Sequence, residues 1–250
     1  MAFGAVGGAG LFQDTSAGTS ITGTVTATIE AGNVALVVVA LDNLGSSDGD
    51  NSEVTSVVDS SGVNVYTKLA EWTNANGSAG AGATVSLWYS ILTNQLTSTV
   101  GTVTANFSGS PTASAMIVHE FTIGAGNVIQ VAGSTSLSND AADPGSMTLS
   151  SLPVVEYLFV RGIASESNNT ATITTSGSYT SLGRTVANTG TSSTSIGARG
   201  EFRILTSSSS TSDPTLFSAD HANVFVALIE AAPATPIPVF MATYRRRRVA

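Results

Sequence analysis

The chain has 250 residues, of which only 10% are charged and none is cysteine, so disulfide and cysteine–zinc frameworks are excluded. Four of its nine Lys and Arg residues form one tetrapeptide, Arg245 to Arg248; the other five stand against 17 acidic residues, a formal charge of −12 for the rest of the chain. A body that acidic repels phosphate, which argues against nucleic acid or an anionic membrane as a partner of anything except the tail.

The N-terminal stretch "FGAVGGAG" reads as a glycine-rich arm. It lacks a basic leader region and lacks the G-x-x-x-x-G-K phosphate-loop pattern. "GTVTATIE" then alternates, and "NVALVVVALD" is a continuous apolar run, short enough for a strand buried on both faces. "EVTSVVDS", "VYTKLAEWT", "ATVSLWYSIL", "STVGTVTANF" and "ASAMIVHEFTI" follow at intervals of about ten residues, split by Gly, Asn, Asp and Ser. No window holds a helical period, and no apolar run approaches the ~20 residues that span a bilayer. The expected compartment is the cytoplasm, or an assembly built there.

The second half repeats the first. "VALVVVALD" matches "EYLFVRGIA", "SVVDSSG" matches "TITTSG", and "YTKLAEWTNANG" matches "YTSLGRTVANTG". "WYSILT" matches "EFRILT", "TVTANFS" matches "DPTLFS", and "MIVHEFT" matches "VALIEAA". The expected fold is all-β: two tandem, duplicated antiparallel β-sandwiches of jelly-roll-like type, residues 1–123 and 124–232. One larger sandwich of two pseudo-symmetric halves is the alternative. Residues 233–250 break the pattern. Pro233, Pro236 and Pro238 fall within six residues, so this segment reads as an extended arm ending in arginine.

Candidate sites are few. Asp42, Asp48, Asp50 and Glu53 crowd a loop absent from the second copy; oxygen ligands at this density suit Ca²⁺, although the spacing is not that of an EF-hand and an Asx-rich turn accounts for it equally. No other cofactor is implied. His119 aligns with Ile229, an apolar counterpart that suggests packing, and His221 lies in a loop; neither neighbours a G-x-S-x-G elbow, so no catalytic residues are expected. Glu71 and Glu201 read as cross-strand partners of Lys68 and Arg203. Trp72, Trp88 and Tyr89 are candidates either for core packing or for a sugar platform. In the arm, Val239, Phe240, Met241 and Tyr244 form an apolar anchor beside Arg245, Arg246, Arg247 and Arg248, which suit carboxylate or phosphate.

The stretch from "GNVALVVVALDNLG" through "VTSVVDSSG" and "VYTKLAEWTN", followed by "TVSLWYSIL" and "TVTANFSGSPTASAMIVHEFT", resembles a family of β-rich virion structural proteins of tailed bacteriophages of aquatic bacteria. The resemblance covers about half the chain directly and the rest through the duplication. It implies a non-enzymatic structural role in the virion, first of all as a trimeric head decoration (cement) protein contacting a shell protein and sister copies. It carries no small-molecule substrate and no catalytic motif. A tail or fibre module binding host polysaccharide is the second reading, and a bacterial surface carbohydrate-binding module the third. Of the arm's possible targets, an acidic protein surface is preferred to packaged DNA, because the sister bodies are acidic.

Overall fold

The computed structural model describes residues 3–75, 81–141, 143–166, 174–215 and 220–233. The chain is all-β. The first half contains Gly4–Asp14 (β1), Ser20–Thr24 (β2), Val34–Asp42 (β3), Val54–Asp59 (β4), Thr67–Asn74 (β5), Ala83–Ile91 (β6), Thr102–Phe107 (β7) and Ser114–Thr122 (β8). The second contains Val128–Asn139 (β9), Met147–Leu149 (β10), Val155–Glu166 (β11), Thr180–Ala187 (β12), Ile196–Ser207 (β13), Ser210–Ser212 (β14) and His221–Ala231 (β15). The boundary expected at 123/124 falls in the connection between β8 and β9.

Each half has one large and one small antiparallel sheet. The first large sheet has the order β1-β8-β3-β6-β5, and the second, read from the equivalent edge, β9-β15-β11-β13-β12. These are the same order strand for strand. The first small sheet is β2-β7-β4; among the described residues the second is β10-β14, with an isolated bridge between Thr174 and Thr215. The continuous apolar run at β3 is buried along its whole length, as its sequence requires, because its sheet is covered on both faces.

The two large sheets pack face to face, so the molecule is a stack of four layers with the small sheets outside. The core between the large sheets takes Val34, Leu36, Val38 and Leu87 from one half and Leu158, Val160, Val224 and Val226 from the other. Each such side chain, fully buried, contributes about 1.5–3 kcal/mol. The halves approach closely: a Cβ on Gly162 would stand 2.8 Å from Leu87 Cδ2. The pairings across the interface are reciprocal. β1 stacks on β12 and β5 on β9, β8 lies over β12 and β13, β15 over β5 and β6, and β3 over β11. A pseudo-twofold axis therefore runs between β3 and β11, along the strands.

Two matching irregularities fix the equivalences. β5 carries a bulge between Lys68 and Ala70, and β12 carries one between Ser181 and Gly183. Counting from them, the matches "YTKLAEWT"/"YTSLGRTV" and "WYSILT"/"EFRILT" are in register. Three other matches are not. The ladders pair Val37 with Trp88 and Val118, and Arg161 with Glu201 and Phe225, so Val37 corresponds to Arg161 and Asp42 to Glu166. The sequence match placed Asp42 on Ala164, two residues away. His119 corresponds to Val226, not Ile229; the slip of three residues exchanges faces, since His119 meets Phe202 of the second large sheet while Ile229 packs toward the second small sheet. In the small sheets Thr104 corresponds to Thr211, because Thr22–Thr104 and Thr148–Thr211 form the same 2.8 Å hydroxyl pair; "DPTLFS" is not the counterpart of "TVTANFS". Near-uniform Val, Ala and Ile strands carry no mark of register. The bulges supply it.

Candidate functional site

The acidic loop is stitched to the protein by its own side chains. Asp42, buried at the end of β3, accepts the Thr112 hydroxyl. Asp48 accepts the Ala75 amide at 2.9 Å, and Asp50 accepts the Ser52 amide and Lys68 Nζ, both at 3.0 Å. Glu53, also buried, accepts the Leu44 amide at 3.2 Å and the Thr84 hydroxyl at 2.6 Å. The four carboxylates thus point at different protein donors. Among the described residues, no group of three or more His, Asp or Glu gathers at metal-binding range.

Glu71 lies 3.8 Å from Lys68, but along the same strand, β5, and not across strands, and its carboxylate chiefly accepts the amides of Glu53 at 2.6 Å and Val54 at 3.3 Å. Burial pushes its pKa up, partly offset by Lys68. Glu201 is not a partner of Arg203. It is fully buried and accepts hydrogen bonds from the Ser176 amide at 2.8 Å, the Ser176 hydroxyl at 2.7 Å and the Ser212 hydroxyl at 2.6 Å. Beside it Arg161, also fully buried, donates to Ser212 O at 2.9 Å, Asn223 Oδ1 at 2.8 Å and Pro144 O at 3.2 Å. Burial lowers the Arg161 pKa to about 10, with Glu201 acting in the opposite sense. Arg161 and Arg199 enter the formal charge of the body like the other cations, but both are wholly buried. For Arg161 the signal was an arginine inside the apolar run "EYLFVRGIA". The body cations left at the surface are Lys68, Arg184 and Arg203, each half-buried.

The aromatic residues do not form a platform. Trp88 and Tyr89 are neighbours in β6 and face opposite ways, Trp88 into the core beneath the first small sheet and Tyr89 toward the second half. Trp72 sits at the seam between β5 and β9 and donates to Ser138 Oγ at 2.8 Å. His119 is buried against Phe121 and Phe202, with ring centroids 4.8 Å and 5.4 Å away, and its Nδ1 lies 3.2 Å from Glu120 O. Burial lowers its pKa, so the imidazole is neutral at physiological pH. His221 is buried at the start of β15.

Two features were not read from the sequence. Asp42 and Glu166, equivalent about the pseudo-twofold axis, meet at one end of the large-sheet interface. Glu166 accepts the Gly82 amide, and its pKa rises to about 7, chiefly through burial, with Asp220 and Asp42 adding repulsion. The second feature is a crevice of about 500 Å³ between β1 and β12, with His119 among its lining residues. The arm residues Val239, Phe240, Met241, Tyr244 and Arg245 to Arg248 lie outside the described residues. No helix among the described residues is long and apolar enough to cross a membrane. No family model, curated protein or solved structure matches the chain.

Proposed function

We propose that the protein is a non-enzymatic virion structural protein, a decoration protein that packs on a phage head shell and on sister copies, with residues 233–250 as its tether. The observation that carries this reading is the strand order. β1-β8-β3-β6 facing β2-β7-β4 is the order of an eight-stranded jelly roll, with β5 hydrogen-bonded to the large sheet instead of the small one. Jelly rolls are common capsid and lectin scaffolds, and the inference from fold to role is an analogy. Charge supports self-assembly. The body carries 17 acids, withdraws two of its five cations into its interior, and leaves the compensating arginines to the arm. The resemblance to phage virion proteins points the same way.

The test is location. Electron microscopy of intact particles, with copy number from quantitative mass spectrometry, should find the protein in many copies spread over the head. Few copies at a tail tip would replace this reading with the adsorption module. That second reading draws on the groove beside Trp72, where Asp50 and the serines of β9 face an indole edge. Absence from particles overturns both.

A further inference from the structure

The two seams at the flanks of the stack are equivalent by pseudo-symmetry but are filled differently. At the β5/β9 seam Trp72 supplies an indole and the 2.8 Å bond to Ser138. At the β1/β12 seam its equivalent is Thr185, which reaches only Gln13 Oε1 at 3.5 Å, and Gly183 stands where the first seam has Ala70. Thr185 and Gln13 line a hollow that shares Leu11 with the crevice, and Gly183 lines the crevice itself. Gly8, Gly10 and Leu11 form one wall, Leu182 and Gly183 the other, and the neutral His119 is at its base. Leu11 at its rim is 51% exposed. The edge of β1 is a poor site for adding a strand here, because Ala9 O already accepts the Thr26 amide at 2.7 Å and the Thr26 hydroxyl at 3.1 Å.

We propose that this crevice is the acceptor for the arm of a second copy and seats the apolar segment Val239, Phe240 and Met241. The proposal rests on the reading of the protein as a self-assembling virion component. Three observations support the choice of occupant. The chain leaves β15 at Ala231, paired with Val128 of β9, so the donor emerges at the seam opposite the acceptor. A contact from one flank to the opposite flank is heterologous, the kind that closes into a ring such as a trimer. Second, seventeen residues follow Pro233, and nine residue steps separate Phe240 from Ala231, a span that at ~3.1 Å per residue would come to roughly 25–30 Å if extended, enough to reach a neighbour. Third, the arm's aromatic and aliphatic side chains suit walls that carry Leu11 and Leu182 and are kept open by Gly8, Gly10 and Gly183.

The chain has no cysteine, which makes a direct test simple. Full-length Leu11→Cys and full-length Phe240→Cys are mixed in equal amounts and mildly oxidised. The expected product is a two-chain species in which peptide mapping joins position 11 to position 240. Its yield should exceed by about tenfold that from Val65→Cys, a 77% exposed site, mixed with Phe240→Cys. Gly8 lines the crevice and a Cβ on it meets nothing within 4 Å, so Gly8→Leu adds bulk to the crevice wall from an unobstructed Cβ. It should cut the cross-link by a similar factor while leaving circular dichroism and melting unchanged. Equal cross-linking at position 65, or an unchanged yield with Gly8→Leu, overturns the proposal. So does a link formed only within one chain of the double variant. Light scattering separates the two levels of failure: assembly without the 11–240 link sinks the crevice assignment alone, whereas a chain that stays monomeric at every concentration sinks the self-assembly reading as well.

Discussion

At one place in the first half, between its large and small sheets, Val37, Trp88 and Met116 pack together. At the equivalent place in the second half stand Arg161, Glu201 and Asn223. The strand order around the two sets is the same. The first layer is held by an apolar core that runs from Ile21 on β2 to Phe107 on β7. Among the described residues, the second has an apolar cluster built around Tyr157, Phe159 and Phe225. Arg161 ties its small sheet to the large one by bonding Ser212 on β14, Asn223 on β15 and Pro144 just before β10. One topology thus tolerates two kinds of interior. The difference lies in what fills this place between a small sheet and a large one: apolar area in the first half, and satisfied hydrogen bonds around a buried guanidinium in the second. Tyr66 and Tyr179 show the same substitution in miniature. Both are buried tyrosines at equivalent sites, but Tyr66 donates to Asp59 and Tyr179 pairs with Ser210.

The harshest test of this contrast transplants one half's solution into the other. Val37→Arg places a guanidinium where the first half has no counterpart of Ser212 or Asn223. The expected result is loss of soluble folded protein, since an unpaired buried charge costs several kcal/mol or more. Soluble expression with a native melting transition would show that the two interiors are interchangeable. Next in size is Arg161→Met, which strands Glu201 and Asn223 without the cation. Urea denaturation should give a loss of about 3–5 kcal/mol, the usual result of removing one partner from a buried polar network. A loss under about 1 kcal/mol would mean that the network specifies structure without stabilising it.

The pH response should come from the contact between the halves. The Glu166 pKa rises from 4.5 to about 7 in the folded protein. The folded state therefore binds more protons than the unfolded state between those values, and stability falls as pH rises through that window. Asp42, also raised by burial, acts in the same direction. Denaturation midpoints should decline by an amount equivalent to about 1–3 kcal/mol from pH 5 to pH 8, and Glu166→Gln should remove most of the decline. If the slope survives unchanged in that variant, the end-on meeting of Asp42 and Glu166 is not its source. The smallest effect sharpens the equivalence itself. Thr22→Val and Thr148→Val each break the same exposed hydroxyl pair, one in each half. Each should cost under about 1 kcal/mol, and the two losses should agree. A large disparity in thermal melting would show that the matched geometry conceals unequal roles.

Alternation, short spacing and repeated segments were enough to read an all-β chain with a duplication, because period-two patterning and turn residues are local properties. The aromatic and charged strands β5, β6, β12 and β13 aligned correctly, since Tyr, Trp, Glu and Arg mark position. The Val- and Ala-rich strands did not, because a run buried on both faces reads much the same after a shift of two or three residues. The acidic loop was visible in the sequence as a cluster of carboxylates. Which amide or hydroxyl each one faces depends on Ala75, Thr84, Thr112 and Lys68, residues far along the chain that only folding brings near.

By itself, then, the sequence determined the class of the fold, the repeat, the acidic body and the separate basic arm, all of which follow from composition and short-range pattern. The tertiary structure alone decided that the halves pack large sheet on large sheet about a pseudo-twofold axis. It alone decided that Arg161 and Arg199 lie inside, and that the seam beside Trp72 holds a smaller groove than the one above His119. Those outcomes depend on which faces meet. Burial energy rewards any apolar face alike, and only the bulges, the glycines and the bulk of single side chains choose among the pairings.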